Sequence, residues 1–198
     1  MTIEINAQQV KELREATGVG LMEAKNALVA VNGNMDEAIK ALRESGKKIA
    51  AKKSNRVTNA GTVASYIHGG GKVGAMVQIA CETDFVAKTD VFQNFAKDIA
   101  MHIAAMNPSY IAEADIPAGT LAEEKEIALK QLEGDNKPDE IKEKIVAGKI
   151  AKYAEENCLL NQPFFKDDTK KVSDILTEVI AQVGENIKVI DFIRYKIG

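Results

Sequence analysis

The octet Cys81-Glu82-Thr83-Asp84-Phe85-Val86-Ala87-Lys88 decides how the rest of the chain is read. Before it, Val73, Ala75, Val77 and Ile79 recur at the period of two that a half-buried β-strand requires. After it, Phe92, Phe95, Ile99 and Ile103 recur at the spacing of a helix with one apolar face. The octet is therefore a strand-to-helix corner, where a rigid scaffold can present side chains to a partner. A carboxylate, Asp84, and a large aromatic, Phe85, stand side by side in it. Two readings of the pair are open: Asp84 caps a helix and Phe85 folds into the core, or both point outward and Phe85 is a wedge.

Outward from the corner on the N-terminal side, strands over 62–68 and 72–82 flank Gly69-Gly70-Gly71, which makes them a hairpin. Gly69-Gly70-Gly71-Lys72 is not a phosphate loop, because the Walker spacing would need Gly where Tyr66 stands and Ser or Thr where Val73 stands. Cys81 shares the core face of its strand, and a core-facing thiol stays protonated. A nucleophile made of Cys81 and His102 is accordingly a weak candidate.

On the C-terminal side, a helix over 90–106 stops at Asn107-Pro108, with His102 at the edge of its apolar stripe. Two charged helical segments over 121–132 and 138–157 follow. Their apolar positions are sparse (Leu121, Ala128, Leu132; Ile141, Ile145, Ala151), and Gly134-Asp135-Asn136-Lys137-Pro138 separates them, so a projecting helical hairpin is expected. Cys158 and Leu159-Leu160 return to the core. A helix over 173–183 carries Ile175, Leu176, Val179, Ile180 and Val183 and ends at Gly184. The final strand, 187–197, is expected to put Ile187, Val189, Ile193, Tyr195 and Ile197 on one face and Ile190 and Phe192 on the other. That second face is too apolar to be wet, so something should cover it.

The first fifty residues read as three short helices. Asn6 and Gln9 have capping-box spacing ahead of Val10, Leu13, Ala16 and Thr17, and Gly18 and Gly20 end that stripe. Leu21, Ala24, Leu28 and Val31 form the next stripe, stopped by Asn32-Gly33, and Asn34 with Glu37 opens a third bearing Ala38, Ile39 and Leu42. So small a bundle resembles the ubiquitin-associated fold and suits a docking module. From residue 45 to 60 the composition turns to Lys47, Lys48, Lys52, Lys53 and Arg56 with Gly and Ser, which reads as a linker. A nucleic-acid grip by this cluster is the rival reading. It lacks interleaved aromatics.

The fold expected is α+β: a three-helix bundle, then a small antiparallel sheet packed with helices and carrying a helical hairpin at about 121–157, with the domains divided as 1–53 and 54–198. The 198 residues are 45% hydrophobic, enough for a real core. With 26 Lys and Arg against 29 Asp and Glu, the formal charge of -3 argues against a protein that lives on nucleic acid. Two cysteines make no disulfide framework and fit a reducing compartment. No apolar run reaches the roughly 20 residues of a membrane helix, and Glu4 stands where a signal peptide would be apolar or basic. A cytoplasmic protein is expected. Neither a metal-ligand cluster nor a cofactor loop is visible, so no metal, no cofactor and no enzymatic chemistry are expected.

The octet resembles the elongation factor Ts family, the guanine-nucleotide exchange factors of elongation factor Tu. Four further stretches carry the same resemblance: Val10-Lys11-Glu12-Leu13-Arg14-Glu15-Ala16-Thr17-Gly18-Val19-Gly20-Leu21-Met22, Met101-His102-Ile103-Ala104, Gln162-Pro163-Phe164 and Gly184-Glu185-Asn186-Ile187. The resemblance implies an exchange motif, Thr83, Asp84, Phe85 and Val86, inserted against the GTPase domain of elongation factor Tu near its magnesium ion. It also implies docking by Lys11, Arg14, Leu21 and Met22, with Leu21 where relatives commonly have Met, and it places His102 on the surface facing the partner. Longer relatives have a duplicated sheet-bearing half; this chain has one, like the short form, which works as a homodimer. Against the exchange factor stand a nucleic-acid-binding translation protein using Lys47 to Arg56, a cysteine hydrolase and a helical scaffold.

Overall fold

A computed structural model of the chain describes residues 5–133 and 137–198. Glu4 and the expected turn residues Gly134, Asp135 and Asn136 lie outside the described residues. Helix α1 (Ala7–Thr17) starts at the expected capping box: the Gln9 N–H donates to Asn6 Oδ1 at 2.7 Å and the Asn6 N–H to Gln9 Oε1 at 3.2 Å. Helices α2 (Leu21–Ala30) and α3 (Met35–Lys53) close a bundle on Val10, Leu13, Ala24, Leu28 and Ala38.

The stretch 45–53, expected to open a linker, is instead the second half of α3. The packing around Gly46 explains the difference. Glycine weakens a helix by about 1 kcal/mol relative to alanine, yet here it is buried against helix α8 (Val172–Val183), where a Cβ would meet Thr177 Cγ2 and the Ala181 Cβ at 3.6 Å. A Cβ at that distance would be in ordinary van der Waals contact, so it is the packing of α3 on α8, and not a need for glycine, that carries the helix through this position. Arg43–Glu178 at 3.9 Å and Lys47–Asp174 at 3.5 Å flank the contact.

Strands β1 (Ala60–His68), β2 (Val73–Cys81) and β5 (Ile187–Lys196) form one antiparallel sheet in the order β1-β2-β5. Gly69, Gly70 and Gly71 turn the hairpin with φ of 62°, 66° and 90°, values that only glycine adopts at little cost. The short strands β3 (Pro163–Phe164) and β4 (Asp167–Lys171) pair separately. Helix α5 (Asp90–Met106) covers one face of the main sheet and buries Phe92, Ile99 and Ile103 against Val77, Ile79 and Ile187. Each such side chain contributes roughly 1.5–3 kcal/mol. This α+β arrangement is the one expected.

The last strand departs from the expected alternation. Gln78 pairs with Asp191 and Ile79 with Val189, so Ile190 is an extra residue in β5, a bulge. Past a bulge the in-and-out pattern reverses. Phe192 therefore packs into the core, and Ile193 and Tyr195 turn outward beside Ile190. The apolar outer face consists of Val63, Ile67, Met76, Ile190, Ile193 and Tyr195, with Ile193 directly across from Met76. The Ile67 side chain lies over Gly74, its Cδ1 2.9 Å from where a Cβ would stand.

Helices α6 (Ala118–Lys130) and α7 (Asp139–Asn157) pack on each other as the expected hairpin. It is rooted by Ile116, Ala154 and Cys158, packed with Tyr110, Leu121 and Tyr153.

His102 is not an edge residue. It is 0% exposed. Phe165 N–H donates to its Nδ1 at 3.3 Å, so the ring proton sits on Nε2 and is donated to Gln162 Oε1 at 2.9 Å. Gln162 in turn donates to the carbonyls of Met106 and Glu156 at 3.3 and 2.7 Å. The ring stacks on Phe164, 6.0 Å between centroids. Burial pushes the imidazole below its ordinary value, opposed by the Gln162 bond. The neutral ring is thus favoured in the fold. Its contribution is complete above the ordinary histidine value of about 6.5 and is lost as pH falls toward the lowered folded value. The melting temperature is expected to drop between pH 7 and 5, with a slope in stability of up to about 1.4 kcal/mol per pH unit from this group. In His102→Gln that part of the slope vanishes, although the variant is less stable at pH 7.5. Equal slopes in calorimetry of the two proteins would show that the histidine does not carry the effect.

Candidate exchange and docking surface

The corner folds as a single helical turn, α4 (Asp84–Ala87). Thr83, not Asp84, is its cap: the Val86 N–H donates to Thr83 Oγ1 at 3.4 Å. Val86 and Ala87 are buried and anchor the turn. Behind them Gln93 Nε2 donates to the Ala87 carbonyl at 2.7 Å, and Thr89 Oγ1 to that of Val86 at 2.8 Å. Asp84 and Phe85 point the other way. The Phe85 ring is 87% exposed, which chooses between the two open readings of the octet: the aromatic faces out. An aromatic so exposed gains almost nothing from the fold that holds it.

Cys81 is fully buried, and its thiol donates to the Thr83 carbonyl at 3.3 Å. Burial first, then the Glu185 carboxylate, pushes the thiol up, so no thiolate nucleophile is prepared. His102 is engaged with Gln162. Cys158 is likewise buried and pushed up. Among the described residues no group of three or more His, Cys, Asp or Glu side chains could hold a metal ion, and no helix is long and apolar enough to cross a membrane.

Lys11 and Arg14 stand exposed on α1, and Leu21 and Met22 on the first turn of α2, with Leu21 58% and Met22 64% exposed. Lys11 pairs with Glu15 at 3.8 Å along the helix, a surface contact worth about 0.3–0.5 kcal/mol. It is easily exchanged for a partner. His102 is not with these residues; it holds α5 to the segment after α7, where the Met101-His102-Ile103-Ala104 and Gln162-Pro163-Phe164 stretches meet.

Three of the five basic residues after residue 45 are engaged within the chain, while Lys48 and Lys52 stand exposed. Lys47 pairs with Asp174, Lys53 donates to the Gly184 carbonyl, and Arg56 lies 3.4 Å from Glu82. These three groups face α8 and the corner.

Two residues of the stretch Gly184-Glu185-Asn186-Ile187, singled out in the sequence only for its resemblance, prove to belong to the corner. Glu185 accepts from the Thr83 N–H at 3.0 Å and from its hydroxyl at 2.7 Å. The Asn186 N–H donates to Glu82 Oε1 at 2.6 Å, a bond that, with Arg56, holds the Glu82 carboxyl below its ordinary range. Both stand some hundred residues from the corner in sequence. No local pattern could assign them to it.

The family described as Elongation factor TS matches residues 4–198. The chain is 50% identical over 194 residues to Elongation factor Ts of Thermoanaerobacter pseudethanolicus, covering 98% of this chain and 95% of that protein. It is 51% identical over 195 residues to the one from Anaeromyxobacter sp., at 98% and 89%, and 47% identical over 194 residues to the one from Moorella thermoacetica, at 98% and 96%.

Proposed function

The chain belongs to the elongation factor Ts family, and from that premise we propose that it binds elongation factor Tu carrying GDP and speeds release of the nucleotide. It performs no chemical step of its own and acts in the cytoplasm. Residues 1–53 dock through Lys11, Arg14, Leu21 and Met22, and residues 54–198 present the exchange turn. The observation that carries this reading is the outward Phe85 on a turn whose backbone is pinned from behind. Pushed against the GTPase near its magnesium ion, Asp84 and Phe85 displace the elements that hold Mg²⁺. The bridge to the phosphates is then lost and GDP leaves faster. His102 contributes from inside, by fixing the helix behind the turn.

The flat apolar face of the sheet is where a second copy packs, making a homodimer. The bulge at Ile190 directs Ile193 and Tyr195, not Phe192, into that interface.

The test is a titration of elongation factor Tu loaded with fluorescent GDP. Release should accelerate with added protein and saturate. Arg14→Ala, which removes a docking charge, should raise the half-saturating concentration about fivefold, about 1 kcal/mol, at an unchanged plateau. No acceleration by the wild type would end the proposal. A lowered plateau for Arg14→Ala would mean that α1 does more than dock.

A further inference from the structure

Phe85 touches little of its own chain, so its direction is set by the backbone of residues 83–86. A four-residue helix does not persist by itself; nucleating a turn is unfavourable without outside contacts. On the C-terminal side Val86 and Ala87 are buried. On the N-terminal side support comes from the turn that follows α8. Gly184, in the left-handed conformation with φ 75°, ends that helix and swings the next two residues toward the corner.

We infer that Glu185, assisted by Asn186, is the positioning residue of the exchange turn, an inference that rests on the function proposed above. The Glu185 carboxylate takes both donors of Thr83. Taking the hydroxyl proton also turns the Thr83 oxygen lone pairs toward the Val86 N–H, so the cap on α4 depends on a residue of another element. Asn186 fixes the preceding residue, Glu82, through its N–H, while its side-chain amide donates to the carbonyls of Ser54 and Arg56 at 3.2 and 2.9 Å. Lys53 closes the ring on the Gly184 carbonyl. The end of α3, the turn after α8 and the exchange corner thus meet at one junction. A wedge acts only if its base does not yield. Glu185 stiffens that base and so sets how far the partner, rather than the turn, is deformed.

The experiment is the GDP-release titration with the full chain, run on Glu185→Ala, Glu185→Gln and Phe85→Ala together, with melting curves and amide exchange of Thr83 and Val86. Glu185→Ala should lower the plateau at least fivefold, with half-saturation within twofold of wild type and faster exchange at both amides. Glu185→Gln should fall between wild type and Glu185→Ala, because its amide oxygen still accepts from the Thr83 N–H but its NH₂ cannot take the hydroxyl proton. If Glu185→Ala does not fold, Glu185→Asp, which draws the carboxylate back by one methylene, takes its place with the same expectation. A raised half-saturation at full plateau would make Glu185 a partner contact and overturn the inference. So would a full plateau with unchanged amide exchange. If Phe85→Ala lowers the plateau and Glu185→Ala does not, this inference fails alone; if Phe85→Ala keeps the plateau, the wedge fails and takes the positioning role with it.

Discussion

Phe85→Ala is expected to cut the saturating rate of GDP release about 30-fold while the melting temperature stays within a degree or two of wild type. The two halves of that expectation have one cause. In the free protein the ring is 87% exposed, so truncating it removes almost no buried area and shifts stability by no more than about 0.5 kcal/mol. Any loss must therefore arise against the partner. An aromatic anchor truncated at the centre of a protein contact costs about 2 kcal/mol or more. Spent at the transition state for release, that is about 30-fold in rate. Exchange factor and nucleotide weaken each other reciprocally, and a residue that carries this coupling lowers the plateau, whereas one that only docks moves the concentration needed. Stopped-flow release with fluorescent GDP, read at saturation, decides. A Phe85→Ala protein that reaches the wild-type plateau at a higher concentration would show that the ring docks and does not couple.

Ile193→Asp is expected to turn a dimer into a monomer. Light scattering at micromolar concentration should give the wild type about twice the 21.5 kDa of one chain, and the variant 21.5 kDa. Ile193 is 45% exposed in the single chain, so a carboxylate there stays in water and the fold survives. In a two-fold interface the same carboxylate appears twice, among Met76, Ile190, Tyr195 and their symmetry mates, while Lys188, the cation on that face of β5, stands five residues away. An uncompensated buried charge costs about 3 kcal/mol or more, at least 100-fold in the dimer's Kd. Phe192→Ala works differently: it hollows the core and should lower the melting temperature, since the ring packs inward. A wild-type monomer at micromolar concentration would refute the dimer.

How far the sequence could be read depended on the range of the interaction. The capping box at Asn6 and Gln9, the helix stops at Gly18 and Asn107-Pro108, the glycine turn and the stripe of α5 were all legible, because each is written in residues a few positions apart. The exchange motif and the docking residues were named from the resemblance, and the structure adds where each stands. Gly46 misled for the opposite reason. Within its own segment it reads as a breaker, and only the packing of α3 on Thr177 and Ala181 of α8 shows that the helix runs through it.

Local patterning by itself thus determined the three N-terminal helices, the glycine hairpin, the long helices, the last strand and the α+β class, since capping, turn chemistry and periodicity act over one or two turns of chain; it missed the second half of α3 and the short strands β3 and β4. Tertiary structure alone decided four things. Phe85 faces outward, His102 lies inside on Gln162, the bulge at Ile190 exchanges Phe192 for Ile193 on the outer face, and Glu185 reaches Thr83. Each depends on a partner roughly sixty to a hundred residues away or on a register set by a neighbouring strand, and pairings at that range leave no periodic trace in the sequence.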